Sequence, residues 1–297
     1  MTGAMATMII ASIDLELGVS NLDAIRDFSD PAKVFWLKII QIATHIFGFL
    51  IPSLLVIYLI SKTPKGYLHL NIKPSIQLIL LTVLIIIFSI PLINLLVELN
   101  NNISVPEFAK RLENWFYAMQ EEQGNAIEAF MVMDNISSLL LNVFMVGVVA
   151  AVCEEVLFRG VIQKIFASAL NKHVAIWITA FLFSAIHLQL YNFIPIMLLG
   201  AMFGYMLVWS GSLWVPIIAH FIHNTAVVVS AFVIDKMDIR IEQEMIGVKP
   251  EHIPMIISSA ILVAFILYYM YKNRTSILIY AKNNNGPALN TDPQSHS

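Results

Sequence analysis

Three strongly apolar segments of this chain carry ionisable or amide side chains, and each segment contains a pair of residues four positions apart. The three segments are Glu154-Glu155-x-x-x-Arg159, Phe183-x-x-x-His187 and His220-x-x-x-Asn224. A charge at the centre of a membrane span costs about 2.5–3.5 kcal/mol even on lenient insertion scales. Several such groups in one chain therefore indicate a functional site.

The two adjacent glutamates of the first segment are expected to have different roles. On a helix, Glu155 and Arg159 share a face, whereas Glu154 is rotated from Glu155 by about 100°. Glu155 is therefore the expected ion-pair partner of Arg159. Glu154 has no local cation and is a candidate general base toward water. The alternative interpretation is a solvated charge cluster at the cytoplasmic end of a span.

The other two segments carry histidines and an amide. Phe183, one helical turn before His187, is expected to pack against its imidazole ring. His220 and Asn224 share a helical face, with His223 beside them, and two N–H donors in this arrangement suit an oxyanion hole. The alternatives are a structural histidine in the second segment and hydrogen bonding between helices in the third.

Composition explains why these polar residues stand out. Of 297 residues, 58% are hydrophobic and 12% are charged, about half the charged fraction of a soluble domain. The chain is therefore predicted to be an integral membrane protein. The net charge is only -3 and the basic residues are not clustered, so nucleic-acid partners are not expected. The single cysteine, Cys153, excludes an intramolecular disulfide, and the apolar stretch Ala4 to Ile13 lacks the basic flank of a signal peptide.

Apolar runs predict an all-α fold, a polytopic transmembrane helical bundle of about seven spans. Runs of this length without period-2 alternation do not describe a membrane β-barrel. The fourth span is short. The predicted spans are Val34 to Ile60, Ser75 to Val97, Ile136 to Phe158, Val174 to Leu188, Phe193 to Trp209, Leu213 to Ile234 and Ile253 to Tyr271.

Charges in the connecting segments predict the orientation of the bundle. Residues 61–74, 159–172 and 272–282 are basic, and the positive-inside rule places them in the cytoplasm. Residues 98–134 and 235–251 are acidic and alternate with them. The N-terminus is thus expected outside and the C-terminus inside. An amphipathic helix is expected on the outer surface within residues 104–134, with apolar positions at Phe108, Leu112, Trp115, Phe116 and Met119.

No internal repeat or flexible linker divides the chain, so residues 1–297 are interpreted as one integral membrane domain. Within it, residues 34–142 would form the N-terminal spans and the extracellular amphipathic segment. Residues 143–234 would form a catalytic core, and residues 253–271 the last span. The polar tail 283–297 is expected to be disordered.

The order of the three segments, with the flanking sequences LFRG and SLWVPIIAHFIHN, resembles the CPBP family. This family comprises the CAAX prenyl protease 2 and the bacteriocin-processing (Abi) intramembrane proteases. The resemblance covers about residues 143–234, and it implies a CAAX-protease-like core. It further implies that Glu154 activates the attacking water with help from His187, and that His220 and Asn224 stabilise the oxyanion. Arg159 and Glu155 would hold the site together.

On this basis the sequence predicts an intramembrane endopeptidase that acts on a membrane-associated, hydrophobic or lipid-modified peptide. No cofactor is expected. A zinc-dependent version of the hydrolysis remains an alternative, with Glu154, His187 and His220 as ligands. The expected location is a bacterial inner membrane, with the site toward the cytoplasm. The expected partners are the lipid bilayer and the substrate.

Other chemistries fit the sequence less well. It contains neither HExxH nor GxGD, and WSGS at Trp209 to Ser212 lacks the rhomboid GxSG pattern. A thiol nucleophile at Cys153 would need a histidine that the sequence does not place beside it. A transporter would be expected to contain inverted repeats. A membrane immunity or scaffold protein of the same family, using the cavity without cleaving a peptide, remains the second functional class.

Overall fold

A computed structural model describes residues 30–101, 106–237 and 250–285, and within these ranges the chain forms helices and turns with no strand. Short 3-10 turns precede three of the helices. In chain order the helices are α1 (Pro31–Ile60), α2 (Pro64–Tyr67), α3 (Ile76–Asn101), α4 (Lys110–Met131), α5 (Ile136–Ala169), α6 (Lys172–Ala185), α7 (Phe193–Ser210), α8 (Trp214–Lys236), α9 (Ile253–Lys272) and α10 (Arg274–Asn285).

Six of these helices are long and apolar enough to cross a membrane, namely α1, α3, α5, α7, α8 and α9. The predicted fourth span corresponds to α6, an apolar helix of 14 residues. At 1.5 Å per residue α6 rises about 21 Å, less than the roughly 30 Å of a hydrocarbon core. The expectation of a polytopic helical membrane protein is confirmed, with six full spans and one short apolar helix.

Local sequence sets several of the helix boundaries. The Asp30 side chain caps the N-terminus of α1, and Asn135 forms a reciprocal capping box with Ser138 at the start of α5. The Asn171 side chain caps α6. Gly211 ends α7 with φ at +65°, a conformation that glycine adopts without the steric cost other residues carry.

Two of the membrane helices contain wide, π-helical turns. In α5 these turns are Val143–Val149 and Val156–Ile162, and they flank the α-helical segment Ala150–Glu155. In α1 the π-helical turn is Ile46–Leu50. Such turns are rare and occur frequently at functional sites, because they redirect the side chains on either side. The glutamate pair of the first sequence segment therefore ends a short stretch of regular helix between two irregular ones.

Two apolar clusters hold the bundle together around these irregular turns. One cluster joins α3, α7, α8 and α9 through buried residues that include Ile85, Phe203 and Ile266. The other joins α1, α5 and α6 through residues that include Phe49 and Phe158. Packing of this kind drives helix association inside a membrane, where there is no hydrophobic gain from leaving water. Arg159 and His220 lie between these clusters, against Phe203 of the first and Phe183 of the second.

The loop 61–75 lies at one end of the bundle, together with the end of α5 and the turn between α7 and α8. His69 Nδ1 lies 2.9 Å from the carbonyl oxygen of Gly211 and donates a hydrogen bond to it. The ammonium group of Lys164 donates to the carbonyl of Tyr67. Two segments that the sequence identified as basic, residues 61–74 and 159–172, therefore lie at the same end of the molecule as the turn between α7 and α8.

The opposite end is formed by α4, the end of α3 and the turn before α7. Asn100 Nδ2 donates to the carbonyl oxygen of Leu190 at 3.0 Å. The hydroxyl of Tyr191 donates to Glu113 Oε1 at 2.8 Å. The acidic segment that contains α4 thus lies at the end away from loop 61–75.

The structure corrects the predicted boundary of the C-terminal tail. The tail was expected to be disordered from Asn283, but α10 follows the last span after one residue and continues to Asn285. Residues 286–297 lie outside the described residues, as do the apolar stretch Ala4 to Ile13 and residues 104–105 of the predicted amphipathic segment. The helix in that segment is α4.

Cysteine labelling tests the two-ended arrangement. Lys65 lies on the short helix α2 after α1, Glu121 lies on α4, and both side chains are exposed. We expect K65C to react with a membrane-impermeant thiol reagent only from the cytoplasmic side and E121C only from the outside, since the basic loops are predicted to be cytoplasmic. The native Cys153 is buried and serves as the unreactive background. Labelling of both variants from one side would contradict the arrangement, and exchange of the two sides would invert the orientation.

Candidate active site

Four of the polar side chains predicted from the sequence meet inside the bundle, together with one histidine that was not predicted. Glu154, Glu155 and Arg159 come from α5 and His220 from α8, and all four are buried with at most 5% of their surface exposed. His45, in the middle of α1, is 1% exposed. Charged groups buried to this degree inside a membrane bundle indicate a site.

A single carboxylate oxygen of Glu155 joins Arg159 to His220. Arg159 Nη1 donates to Glu155 Oε1 at 2.9 Å, which confirms the predicted ion pair. His220 Nδ1 lies 2.9 Å from the same oxygen, and it donates because an ionised carboxylate can only accept. The sequence did not indicate this second bond, which links α5 to α8. Glu155 therefore positions the imidazole of His220 as well as balancing the charge of Arg159.

The Arg159 guanidinium is enclosed by a carbonyl and two aromatic rings. Nη2 donates to the carbonyl oxygen of Gly200 at 2.8 Å. The guanidinium carbon lies 4.5 Å from the centre of the Phe183 ring and 5.4 Å from that of Phe203, within the range of cation–π attraction. A side chain at position 200 would bring its Cβ to 3.1 Å from the Phe183 ring. The glycine thus allows α7 to approach the arginine closely.

Phe183 and His187 form the contact that their spacing predicted. Their ring centres are 4.9 Å apart, and His187 Nδ1 donates to the carbonyl oxygen of Phe183 at 2.6 Å. The predicted fourth span to Leu188 was too long, since α6 ends at Ala185 and His187 lies in the turn that follows. With Nδ1 occupied as a donor, the neutral imidazole has a lone pair on Nε2 and can accept a proton there.

The two oxygens of Glu154 have different surroundings. Oε1 lies 3.2 Å from His45 Nε2. Oε2 is buried, makes no hydrogen bond within the described part of the chain, and lies 3.8 Å from His220 Nε2. That separation is too long for a direct hydrogen bond, but two atoms so placed can both lie at hydrogen-bond distance from one further oxygen. Glu154 thus has one anchored and one unoccupied oxygen.

His45 is the site residue that sequence reasoning missed. It lies 109 residues before Glu154, outside the three segments that carried the prediction. The available signal was a histidine with a glutamine four residues earlier, Gln41, in an otherwise apolar span. Intramembrane polar residues at helical spacing point to a site by default, so the pair could have been included.

Asn224 lies one turn after His220 on α8, and its amide is partly engaged. Nδ2 donates to the carbonyl oxygen of Val146 in a π-helical turn of α5, at 2.8 Å. An amide nitrogen carries two N–H groups, so one donor remains for another acceptor.

The structure also bears on the alternative chemistries. Within the residues that the structure describes, no group of three or more His, Cys, Asp or Glu side chains is arranged to hold a metal ion. The candidate zinc set of Glu154, His187 and His220 is therefore not preformed as a set of ligands. Cys153 is buried in the apolar cluster with Phe49 and Phe158.

Comparison with known proteins identifies the part of the chain that holds this site. Residues 136–226 match the family model of type II CAAX prenyl endopeptidases, described as Rce1-like. "Uncharacterized protein YpbD" of Bacillus subtilis (strain 168) is 36% identical over 76 residues, which cover 24% of this chain and 36% of YpbD. "Putative membrane peptidase YdiL" of the same organism is 28% identical over 98 residues, covering 33% of this chain and 40% of YdiL. No solved structure matches the chain.

The chain spans less than half the length of these curated relatives. The family match nevertheless contains all six residues that the sequence predicted for the site, and it begins with α5 and ends within α8. His45 lies outside the matched range, on a helix of the N-terminal part. The resemblance drawn from the three sequence segments is confirmed: the part of this integral membrane protein that holds the site is similar to the Rce1-like type II CAAX prenyl endopeptidases.

Proposed function

We propose that this protein is an intramembrane endopeptidase that hydrolyses a peptide bond with water activated by Glu154. The observation that carries the proposal is the state of that carboxylate, which is buried with Oε1 held by His45 and Oε2 facing His220 Nε2 at 3.8 Å. A base must lie within reach of the water proton it removes and beside groups that stabilise the developing charge. The family match supports proteolysis in general terms.

In the proposed reaction, Glu154 Oε2 takes a proton from water as the water oxygen attacks the carbonyl carbon of the scissile bond. The carbonyl oxygen becomes an oxyanion that accepts hydrogen bonds from His220 Nε2–H and from the second N–H of Asn224 Nδ2. The carbon–nitrogen bond then breaks, and the leaving amine receives the proton held by Glu154. The products are a carboxylic acid and an amine, so every atom of the water is accounted for.

The hydrogen bonds in the site determine which form of His220 can serve as a donor. Nδ1–H is committed to Glu155, so Nε2 donates to an oxyanion only when the ring is protonated at both nitrogens. His187 has the opposite character, because its Nδ1–H is used by the Phe183 carbonyl and its Nε2 can accept from the attacking water.

We propose a membrane-associated peptide as the substrate, presented with an apolar or lipid-modified end. The support is the matching family, whose description is that of prenyl endopeptidases, together with a site enclosed by membrane helices. A dry, enclosed site also strengthens the electrostatic contribution of each donor, because water no longer competes for the oxyanion.

We further propose that the protein resides in a bacterial inner membrane, with loop 61–75 in the cytoplasm and the site open toward the cytoplasmic half. Both curated relatives are from Bacillus subtilis, and the basic connecting segments lie at the end that contains this loop. Glu154 bonds His45 in the middle of the 30-residue α1, so the site lies deep in the bundle.

We expect Glu154→Gln to lower turnover by about 10²- to 10⁴-fold, because an amide is nearly isosteric but cannot accept the proton. The measurement is cleavage by purified, detergent-extracted protein of two fluorescence-quenched peptides, one farnesylated with a CAAX C-terminus and one apolar without a lipid. Yield and thermal stability should stay near wild type. Glu121→Gln, an exposed change on α4, is the matched control and should retain full turnover.

Two outcomes would contradict the assignment of Glu154. Substantial turnover by the Glu154→Gln variant would reject its role as the base. Failure of the wild type to cleave either peptide would favour an immunity or scaffold protein.

Glu155→Gln should differ from Glu154→Gln, because it leaves Arg159 without its buried partner. We expect it to lower the free energy of unfolding by about 3–5 kcal/mol, the usual cost of breaking such a pair.

His220→Ala and Asn224→Ala should each lower kcat by about 10²- to 10³-fold with little change in KM, because an oxyanion donor acts mainly in the transition state. Steady-state kinetics on the cleaved peptide provide the measurement. His223→Ala is the control, since His223 adjoins the motif without belonging to its four-residue spacing. A rise in KM at constant kcat would show instead that the two side chains bind the substrate uniformly.

We propose that the reaction proceeds without a metal, because one oxygen of Glu154 already binds His45 and one ring nitrogen of His220 already binds Glu155. Enzyme treated extensively with a strong chelator should keep its activity, and elemental analysis should find substoichiometric zinc. One zinc per chain, with activity that returns only on re-addition of zinc, would overturn this. Glu154, His187 and His220 would then become the ligand candidates.

A further inference from the structure

We propose that His45 of α1 is a positioning residue for Glu154, a role that rests on the proposed function and adds a helix from outside the family core to the site. Its Nε2–H donates to Glu154 Oε1 across 3.2 Å, and both side chains are buried. Only Oε2 then remains for the water. His45 acts through the carboxylate and does not touch the reacting atoms.

A neighbour of His45 on α1 is compatible with the tautomer that this role requires. Gln41 lies one turn earlier, and its Nε2 lies 3.0 Å from His45 Nδ1. When the amide N–H donates to the Nδ1 lone pair, the neutral ring carries its proton on Nε2, where it faces the carboxylate of Glu154. A hydrogen bond to one nitrogen of an imidazole commonly sets which nitrogen carries the proton.

The same neighbours also accommodate a protonated ring. His45 Nδ1 lies 3.0 Å from the main-chain carbonyl oxygen of Gln41, which can accept a hydrogen bond when Nδ1 carries a proton. The Nε2–H bond to Glu154 is present in both forms. Neither protonation state leaves a ring nitrogen without a partner, so the contact with the carboxylate is retained in either state.

Packing holds the ring in this orientation from the other side. The Phe49 ring stacks on His45 with centres 5.5 Å apart and planes at 21°. Phe49 is itself buried in the apolar cluster with Val149 and Phe158 of α5. Because Phe49 lies within the π-helical turn Ile46–Leu50, the irregular part of α1 contributes to the placement of the imidazole.

Anchoring one oxygen of a general base has a specific catalytic consequence. A carboxylate that rotates about its last bond exchanges its two oxygens and presents its lone pairs in varied directions. A bond to Oε1 keeps Oε2 aimed toward His220 Nε2, where the water and the oxyanion must lie. The gain should appear in kcat, since reactant geometry is improved without a new contact to the substrate.

The test compares two substitutions that differ in one N–H group. His45→Ala removes the donor, whereas His45→Gln places an amide N–H near the former position of Nε2 but cannot titrate. We expect kcat to fall about 10²-fold for His45→Ala with KM nearly unchanged. The kcat of His45→Gln should be at least tenfold higher than that of His45→Ala. Gln41→Leu should lose less than His45→Ala. His173→Ala, an exposed histidine on α6, is the control and should match wild type.

The readouts separate this inference from the proposed function. The measurements are steady-state kinetics on the peptides described above and thermal unfolding of each purified variant. An active wild type with unchanged kcat in His45→Ala would overturn the role of His45 and leave the peptidase proposal standing. Equal losses in the Ala and Gln variants, or losses that follow unfolding, would show a structural role only. A wild type inactive on both peptides would overturn both proposals.

Discussion

The shared carboxylate oxygen of Glu155 is the interaction on which the rest of the site depends. Arg159 and His220 both donate to it at 2.9 Å, in a part of the bundle with almost no solvent exposure. A lone arginine at that depth would be costly, and the ion pair offsets the cost only if its remaining donors are satisfied. The Gly200 carbonyl accepts from Nη2 and the rings of Phe183 and Phe203 lie against the guanidinium, while Nε has no hydrogen-bond partner among the described residues. The Glu155 carboxylate thus connects the third sequence segment to the first through His220, and its partner Arg159 contacts Phe183 of the second.

The aromatic ring of Phe183 shows how few residues connect these segments. Its face receives the Arg159 guanidinium, its edge contacts His187, and it lies 5.9 Å from the His220 ring. One apolar side chain therefore touches a member of each polar segment. This gives the phenylalanine of the second segment a physical role beyond filling space, and it explains why α6, although too short to span the bilayer, is packed closely against α5 and α7.

Local contacts of the site could be predicted from the sequence, and distant ones could not. Glu155–Arg159 and Phe183–His187 are four residues apart, and helical geometry alone brings such pairs together. The His220–Glu155 and His45–Glu154 bonds join residues that are 65 and 109 positions apart. They depend on how the helices pack, and hydropathy does not show which residues of two apolar helices face each other. The π-helical turns of α1 and α5 also left no signal in apolar sequence. The number of spans could be predicted approximately, because the thickness of a bilayer sets a minimum length for each apolar run that crosses it.

The early end of α6 has a consequence for the lipid around the protein. A helix of 14 residues ends about 9 Å short of the far boundary of the hydrocarbon layer, and the turn that holds His187 begins there. Irregular backbone at that depth requires shelter from protein or contact with water, and a bilayer meets so short a segment by thinning. Hydrophobic mismatch at α6 would therefore bring a locally thin, wetter membrane to the turn that holds His187.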